Sequence, residues 1–216
     1  MARKMTALGA VAVLIYISHV IIGGLLWEEY SHLHRPISDL TASGAPNRLF
    51  LSVLTVFYGI LSVLFSLGAY LILKNNAPRA SQIGMLVFLS MHIISLFYNF
   101  FPQDLPGDSL TFRGLMHIVI TILIIPLTII SPILVGLGLR KLKDFQLYSY
   151  FSLLTGLVIF LSGAAVAVFI ANDWPYFGIL QRINIGSLQI WMLATSLKLV
   201  SIESQTRKAQ SKKLIY

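Results

Sequence analysis

The chain has 216 residues, of which 56% are hydrophobic and 11% charged, against roughly 25% charged in an ordinary soluble domain. Its mean hydropathy of +0.81 excludes a globule solvated by water, and the stretches between apolar runs are too short to bury a core of their own. The absence of cysteine removes disulfides, thiolate metal sites and cysteine nucleophiles, and the net charge of +8 sorts by position along the chain in a way that needs no nucleic acid as partner.

About twenty apolar residues cross the roughly 30 Å hydrocarbon layer of a bilayer, and six segments reach that length: 5–27, 49–73, 82–101, 115–138, 147–171 and 178–200. Such a number of long runs argues against buried strands or core helices of a soluble protein. The first run follows Arg3 and Lys4, is too long for a signal-peptide core and has no small-x-small site before Glu28, so it is expected to stay as a helix. The expected fold is all-α: a polytopic transmembrane bundle of six helices, one membrane domain over 1–216, ending in a basic tail at 201–216.

Twelve of the sixteen Lys and Arg residues fall on one side of these spans: Arg3, Lys4, Lys74, Arg79, Arg140, Lys141, Lys143, Lys198, Arg207, Lys208, Lys212 and Lys213. The other side holds Arg35, Arg48, Arg113 and Arg182 with six of the eight acids, Glu28, Glu29, Asp39, Asp104, Asp108 and Asp173. Basic short loops resist transfer across the membrane. Both termini are therefore expected in the cytoplasm of a cell whose plasma membrane the chain crosses, with the basic tail near anionic headgroups.

Along the chain, the first span carries Tyr16, His19, Gly23 and Trp27 at helical spacing. The first outer loop follows, with the pair His32 and His34, whose spacing suits a metal only if other ligands come from elsewhere. Ser38 and Asp39, just after Pro36, are placed to cap a short helix folded onto the bundle mouth or to belong to a site. The third span repeats the polar stripe as His92, Ser95 and Asn99, with His92 at a depth similar to His19. These two rings have three readings: the floor of an outward-facing cavity, axial haem ligands, or hydrogen bonds between packed helices.

The second outer loop offers Asp104 and Asp108, and the fourth span opens with Arg113 and His117 four residues apart on one helical face. An acid beside a histidine suits general acid–base work, and an interfacial salt-bridge cluster uses the same residues. Pro126 and Pro132 are expected to bend the fourth span. In the fifth, Gly163 and Ala167 form a small-xxx-small pair for close packing. The third outer loop is aromatic, and just beyond it Arg182 enters an apolar span with Gly186 and Gln189 following at helical spacing. A guanidinium there needs a partner or water, and Asp39 or Asp104 is the expected one.

Several of these segments together resemble a known family. His34-Arg35-Pro36-Ile37-Ser38-Asp39-Leu40, the Phe101-Pro102-Gln103-Asp104 turn, His117, and Gly178-Ile179-Leu180-Gln181-Arg182-Ile183 followed by Trp191 resemble the bacterial and archaeal membrane family catalogued as domain of unknown function 998. The resemblance covers about residues 8 to 198. It implies a membrane protein of six or seven helices with polar residues gathered at the outer face, and it carries over Ser38, Asp39, Asp104, His117 and Arg182 as the site.

Three functions fit this reading. The first is a hydrolase or transferase acting on a lipid or lipid-linked substrate, with His117 as acid or base, Asp39 or Asp104 orienting it, and Arg182 binding an anionic headgroup. Ser38 is a candidate nucleophile there, without a nucleophile elbow around it. The second is a small-molecule binding or transport protein, in which the same cluster and the His19 and His92 stripes line a small-molecule or proton path, and the third a haem protein carrying electrons through His19 and His92. Substrate, metal content and oligomeric state are not written in the residues.

Overall fold

The computed structural model describes residues 2–74 and 76–213, with side-chain surroundings for 4–74 and 76–202. Six helices long and apolar enough to cross a membrane run over Lys4–Leu25, Arg48–Leu73, Arg79–Asn99, Phe112–Leu139, Lys143–Ala171 and Phe177–Ile202. Each boundary lies within a few residues of the expected one. There are no strands among the described residues. The sixth helix continues without a break to Lys213; of the expected basic tail, residues 214–216 and all side chains from 203 onward lie outside the described residues, as does the side chain of Arg3.

Local chemistry explains where the helices start. Thr111 precedes the fourth helix, and its hydroxyl accepts from the Gly114 amide at 3.1 Å, satisfying one of the free N–H groups of the first turn. The second helix begins after Asn47, held left-handed at φ 58, a conformation asparagine tolerates better than most residues. The third follows Pro78, whose carbonyl accepts from Ser81 Oγ. The fourth helix runs unbroken from Phe112 to Leu139 through Pro126 and Pro132.

Each span packs on its neighbour in sequence, and the sixth returns to the first, closing a ring. Phe65, Phe88, Met85, Trp191, Met192 and Ile159 fill its centre. The Trp191 indole N–H is satisfied there by Ser152 Oγ at 2.9 Å. Large apolar side chains such as Leu14, Ile122 and Phe160 face outward instead, as expected where lipid is the solvent. Small residues bring backbones together: Gly84 lies against Ser131 and Val135 of the fourth span, and Gly136 against Ser149 of the fifth. At the expected Gly163 pair, Asn184 of the sixth span closes in and donates to Ile159 O at 2.7 Å and Ser162 Oγ at 3.0 Å.

Candidate functional site at the acidic end

Three connections, 26–47, 100–111 and 172–176, share one end of the ring with most of the acids. The first turns inward as a short 3-10 helix, Ile37–Thr41. Its buried Ile37 and Leu40 pack with Tyr30 and Leu51 between the first, second and sixth spans. The expected capping role of Ser38 and Asp39 is corrected here. Pro36 holds the cap position, no side chain of the loop caps the helix, and the Ile37 amide is satisfied from the sixth span by Gln181 Oε1 at 2.6 Å. Asp39 is drawn elsewhere, its carboxylate ion-paired with Arg35 Nε at 3.2 Å and accepting from Gln103 Nε2. Arg35 in turn stacks over the Trp27 ring at 4.3 Å.

Arg182 binds this loop to the sixth helix. Its Nη1 donates to Arg35 O at 3.0 Å and Gly178 O at 2.9 Å, and its Nη2 to the Tyr30 hydroxyl at 2.7 Å and His32 Nδ1 at 3.0 Å. Gly178 permits this closeness, since a Cβ there would stand 2.6 Å from Arg35 O. All four acceptors are neutral. Neither Asp39 nor Asp104 bonds Arg182, so the expected pairing is replaced by loop carbonyls, a phenol and an imidazole. The loop reaches the guanidinium with its backbone first, and Arg35 takes the Asp39 charge.

Burial pushes the Asp39 carboxyl above the usual range from 3.8, outweighing Arg35 and Gln103, which pull it down. Partial burial, assisted by the Arg182 charge, lowers His32 from 6.5 and keeps its Nδ1 free to accept. The two titrations oppose each other. A raised acid adds stability that is fully present below its unfolded value and lost as pH rises through the folded one; a lowered histidine adds stability present above 6.5 and lost as pH falls through its folded value. Melting curves from pH 7 down to 4 are therefore expected to decline more steeply in Asp39→Asn than in wild type, and less steeply in His32→Gln. At pH 7 Asp39→Asn is expected to melt no lower than wild type, and a fall of several degrees there would contradict the raised carboxyl.

The second connection has its own arrangement. Asp104 accepts from the Thr111 amide at 2.8 Å and hydroxyl at 2.9 Å, and its carboxylate lies over Gly114 in the first turn of the fourth helix, where a negative charge suits the helix dipole. It is near enough for its charge to act on His117, but the His117 ring bonds elsewhere, donating from Nδ1 to Phe101 O at 2.9 Å and packing on Tyr98 at 4.5 Å. A carbonyl can only accept, so the neutral ring carries its proton on Nδ1 and offers a lone pair at Nε2. Arg113 is exposed and lines an open depression of about 600 Å³ with Asp104, Asp108 and Ser43. The loops are joined where Ser43 N donates to Gln103 O at 2.8 Å.

The candidate residues thus form two linked groups, Asp39 and Arg182 in one, Asp104 and His117 in the other, bridged by Gln103. The Ser38 hydroxyl has no hydrogen bond among the described residues. His32 serves Arg182 while His34 stacks on Tyr176 at 5.0 Å, so the two imidazoles do not share a ligand direction. Among the described residues no three of His, Asp and Glu gather closely enough to hold a metal.

The family described as Protein of unknown function (DUF998) matches residues 10–198. The chain belongs to this family. No curated protein and no solved structure matches it. The match takes in part or all of each of the six helices and every residue of both groups, so the DUF998 chain is a multi-pass membrane protein whose polar end lies wholly inside the family region.

Within the ring, the DUF998 chain also carries polar side chains that the residues alone had not joined. Gln189 Nε2 donates to the Tyr58 hydroxyl at 2.7 Å, with Ser62 beside it. Ring contacts pass from His19 to Tyr16 at 6.1 Å, Tyr16 to Tyr58 at 4.9 Å and Tyr58 to His92 at 6.2 Å. The two imidazoles are joined through a tyrosine pair. Tyr30, Tyr58, Gln103 and Gln181 were not among the expected site residues. Gln181 and Gln189 had a readable signal, since amides inside an apolar span seek partners.

Proposed function

We propose that this chain binds the anionic headgroup of a lipid or lipid-linked substrate at its acidic end, with Arg182 as the binding cation. The charge balance of the first group supports this. Asp39 is matched by Arg35, His32 is neutral, and Arg182 donates only to neutral acceptors, so the group carries one uncompensated positive charge at a membrane boundary. The distribution of Lys and Arg supports a cytoplasmic position for both termini in a plasma membrane and an outward-facing site.

The test is thermal melting in nanodiscs of phosphatidylglycerol against phosphatidylcholine. Wild type is expected to melt several degrees higher in the anionic lipid, Arg182→Gln to lose most of that gain, and Arg182→Lys to keep part of it. If Arg182→Gln retains the full gain, the lipid acts on the basic residues at the opposite end and the headgroup reading is wrong.

A second reading, hydrolysis or transfer on that substrate, is supported by His117, whose Nε2 lone pair is left available by the Phe101 bond. Binding is the better supported of the two, because Asp104 is committed to Thr111 and Ser38 has no base beside it. Lipid turnover on expression, lost in His117→Gln while headgroup-dependent melting persists, would favour transfer.

A further inference from the structure

We propose that the interior of the ring is an occluded, proton-accepting chamber, entered from the acidic end beneath the Ile37–Thr41 helix, which acts as its lid. The inference stands chiefly on His19, His92 and Gln189, side chains that the headgroup site does not use. His19 is 2% exposed and His92 1%, yet both ring nitrogens of His19 and Nε2 of His92 have no hydrogen-bond partner among the described residues. Gln189 Oε1, on a residue 4% exposed, and Arg182 Nε are in the same position. Such groups are costly to bury dry, and one orphan is tolerable where several together need a common explanation. Water meets both the donors and the acceptors.

These groups are contiguous. Gln189 lies seven residues from Arg182, two turns and about 10 Å further along the same face. Gln189 bonds Tyr58, and Tyr58 packs against both Tyr16 and His92. Around the two histidines stand Tyr16 from the first span, Tyr58 from the second and Gln189 from the sixth, and the field of the Arg182 charge reaches Tyr16. Above, Tyr30, Ile37 and Leu40 close the ring; below, Phe88 packs edge-on against His92 at 4.3 Å and against Trp191 at 5.0 Å, sealing the path to the basic end.

The protonation state of His92 follows from its contacts. Nδ1 is 3.1 Å from Phe88 O and 3.2 Å from Ser66 Oγ, whose own proton goes to Ser62 O. Nδ1 therefore carries the hydrogen and Nε2 presents a lone pair to the chamber. A proton arriving on water forms an N–H bond at Nε2 and leaves neutral water behind, and no electron is exchanged. Histidines inside a membrane, facing other polar groups and not lipid, are the usual material of such relays.

The experiment is nuclear magnetic resonance of protein labelled with nitrogen-15 at histidine, in nanodiscs, with the His19 and His92 signals assigned by their loss in His19→Gln and His92→Gln. Both imidazoles are expected to exchange hydrogen with water and to shift between pH 8 and pH 4, and their exchange to accelerate at least tenfold in Leu40→Ala, which thins the lid. Because the chain has no cysteine, Ser62→Cys gives a near-isosteric second measurement: silver ion is expected to modify the introduced thiol in the folded protein, faster when Leu40→Ala is added. Histidines silent to pH and to exchange, with that thiol unreactive, would overturn the chamber and leave the two rings as links between helices; that result leaves the headgroup melting test untouched.

Discussion

Replacing Arg182 with methionine is expected to detach the first loop from the sixth helix while the six spans stay folded. The substitution keeps length and apolar bulk but withdraws four donated hydrogen bonds at once, those to Tyr30, His32, Arg35 O and Gly178 O. Hydrogen bonds from a charged donor contribute about 1.5–3 kcal/mol each, and four on one group are not additive because water re-enters as they break. A net loss of about 3 kcal/mol in local docking corresponds to roughly a hundredfold faster amide exchange in the loop. The sensitive amides are Ile37, held by Gln181, and Ser43, held by Gln103 O. Lysine restores the charge but not the planar fork, so Arg182→Lys is expected to fall between the two. Loop exchange within twofold of wild type in Arg182→Met would show that Leu40 and Ile37 hold the loop by packing alone.

The same variant bears on the interior. If the loop is the lid, losing the latch should quicken water exchange at His19 and His92 together with the loop amides, although neither ring touches residue 182. An anion that competes for the guanidinium acts in the same direction as the mutation, because each hydrogen bond it takes is one removed from Arg35 O or Tyr30. Headgroup binding and chamber opening would then be linked by shared donors, and the size of the linkage is bounded by the few kcal/mol those donors contribute.

The spans are legible in the sequence because hydrocarbon thickness fixes a length and apolar composition fixes a partner; no tertiary information is needed for either. The end at which polar chemistry gathers is legible for the same reason. The partners are not. Arg182 is expected to meet an acid, since charge suggests charge, but Asp39 is held by Arg35, only four residues before it. Local pairing within one turn of chain takes precedence over a bond between positions 39 and 182. Asp104 reads as a site carboxylate, although the sequence holds a nearer signal: Pro106 and Gly107, with Gly107 at φ 94, turn the chain back so that Asp104 meets Thr111 at the start of a helix. Tyr58 cannot be found from its own span, where nothing polar but serine and threonine marks its face. Its role exists only because Gln189 arrives from the far end of the chain.

Three alanine substitutions of the same kind are expected to separate by sign. Gly84→Ala and Gly138→Ala each add a methyl group where the fourth span touches the third, and Gly186→Ala adds one in the sixth. At Gly84 the new carbon would stand 2.8 Å from Val135 N and 2.9 Å from Ser131 O, and at Gly138 it would collide with the Ser81 backbone nitrogen. These neighbours are main-chain atoms inside helices, so relief requires whole helices to part rather than a side chain to turn. Overpacking of this sort costs about 1–3 kcal/mol where side chains can adjust, and more where they cannot. At Gly186 nothing lies within 4 Å, and alanine in a helix interior is favoured over glycine by roughly 0.5–1 kcal/mol. Fluorescence-detected size exclusion with a thermal ramp is expected to show the first two variants melting well below wild type, Gly138→Ala the lower, and Gly186→Ala at or above it. Equal melting of all three would mean that the third and fourth spans have room to separate.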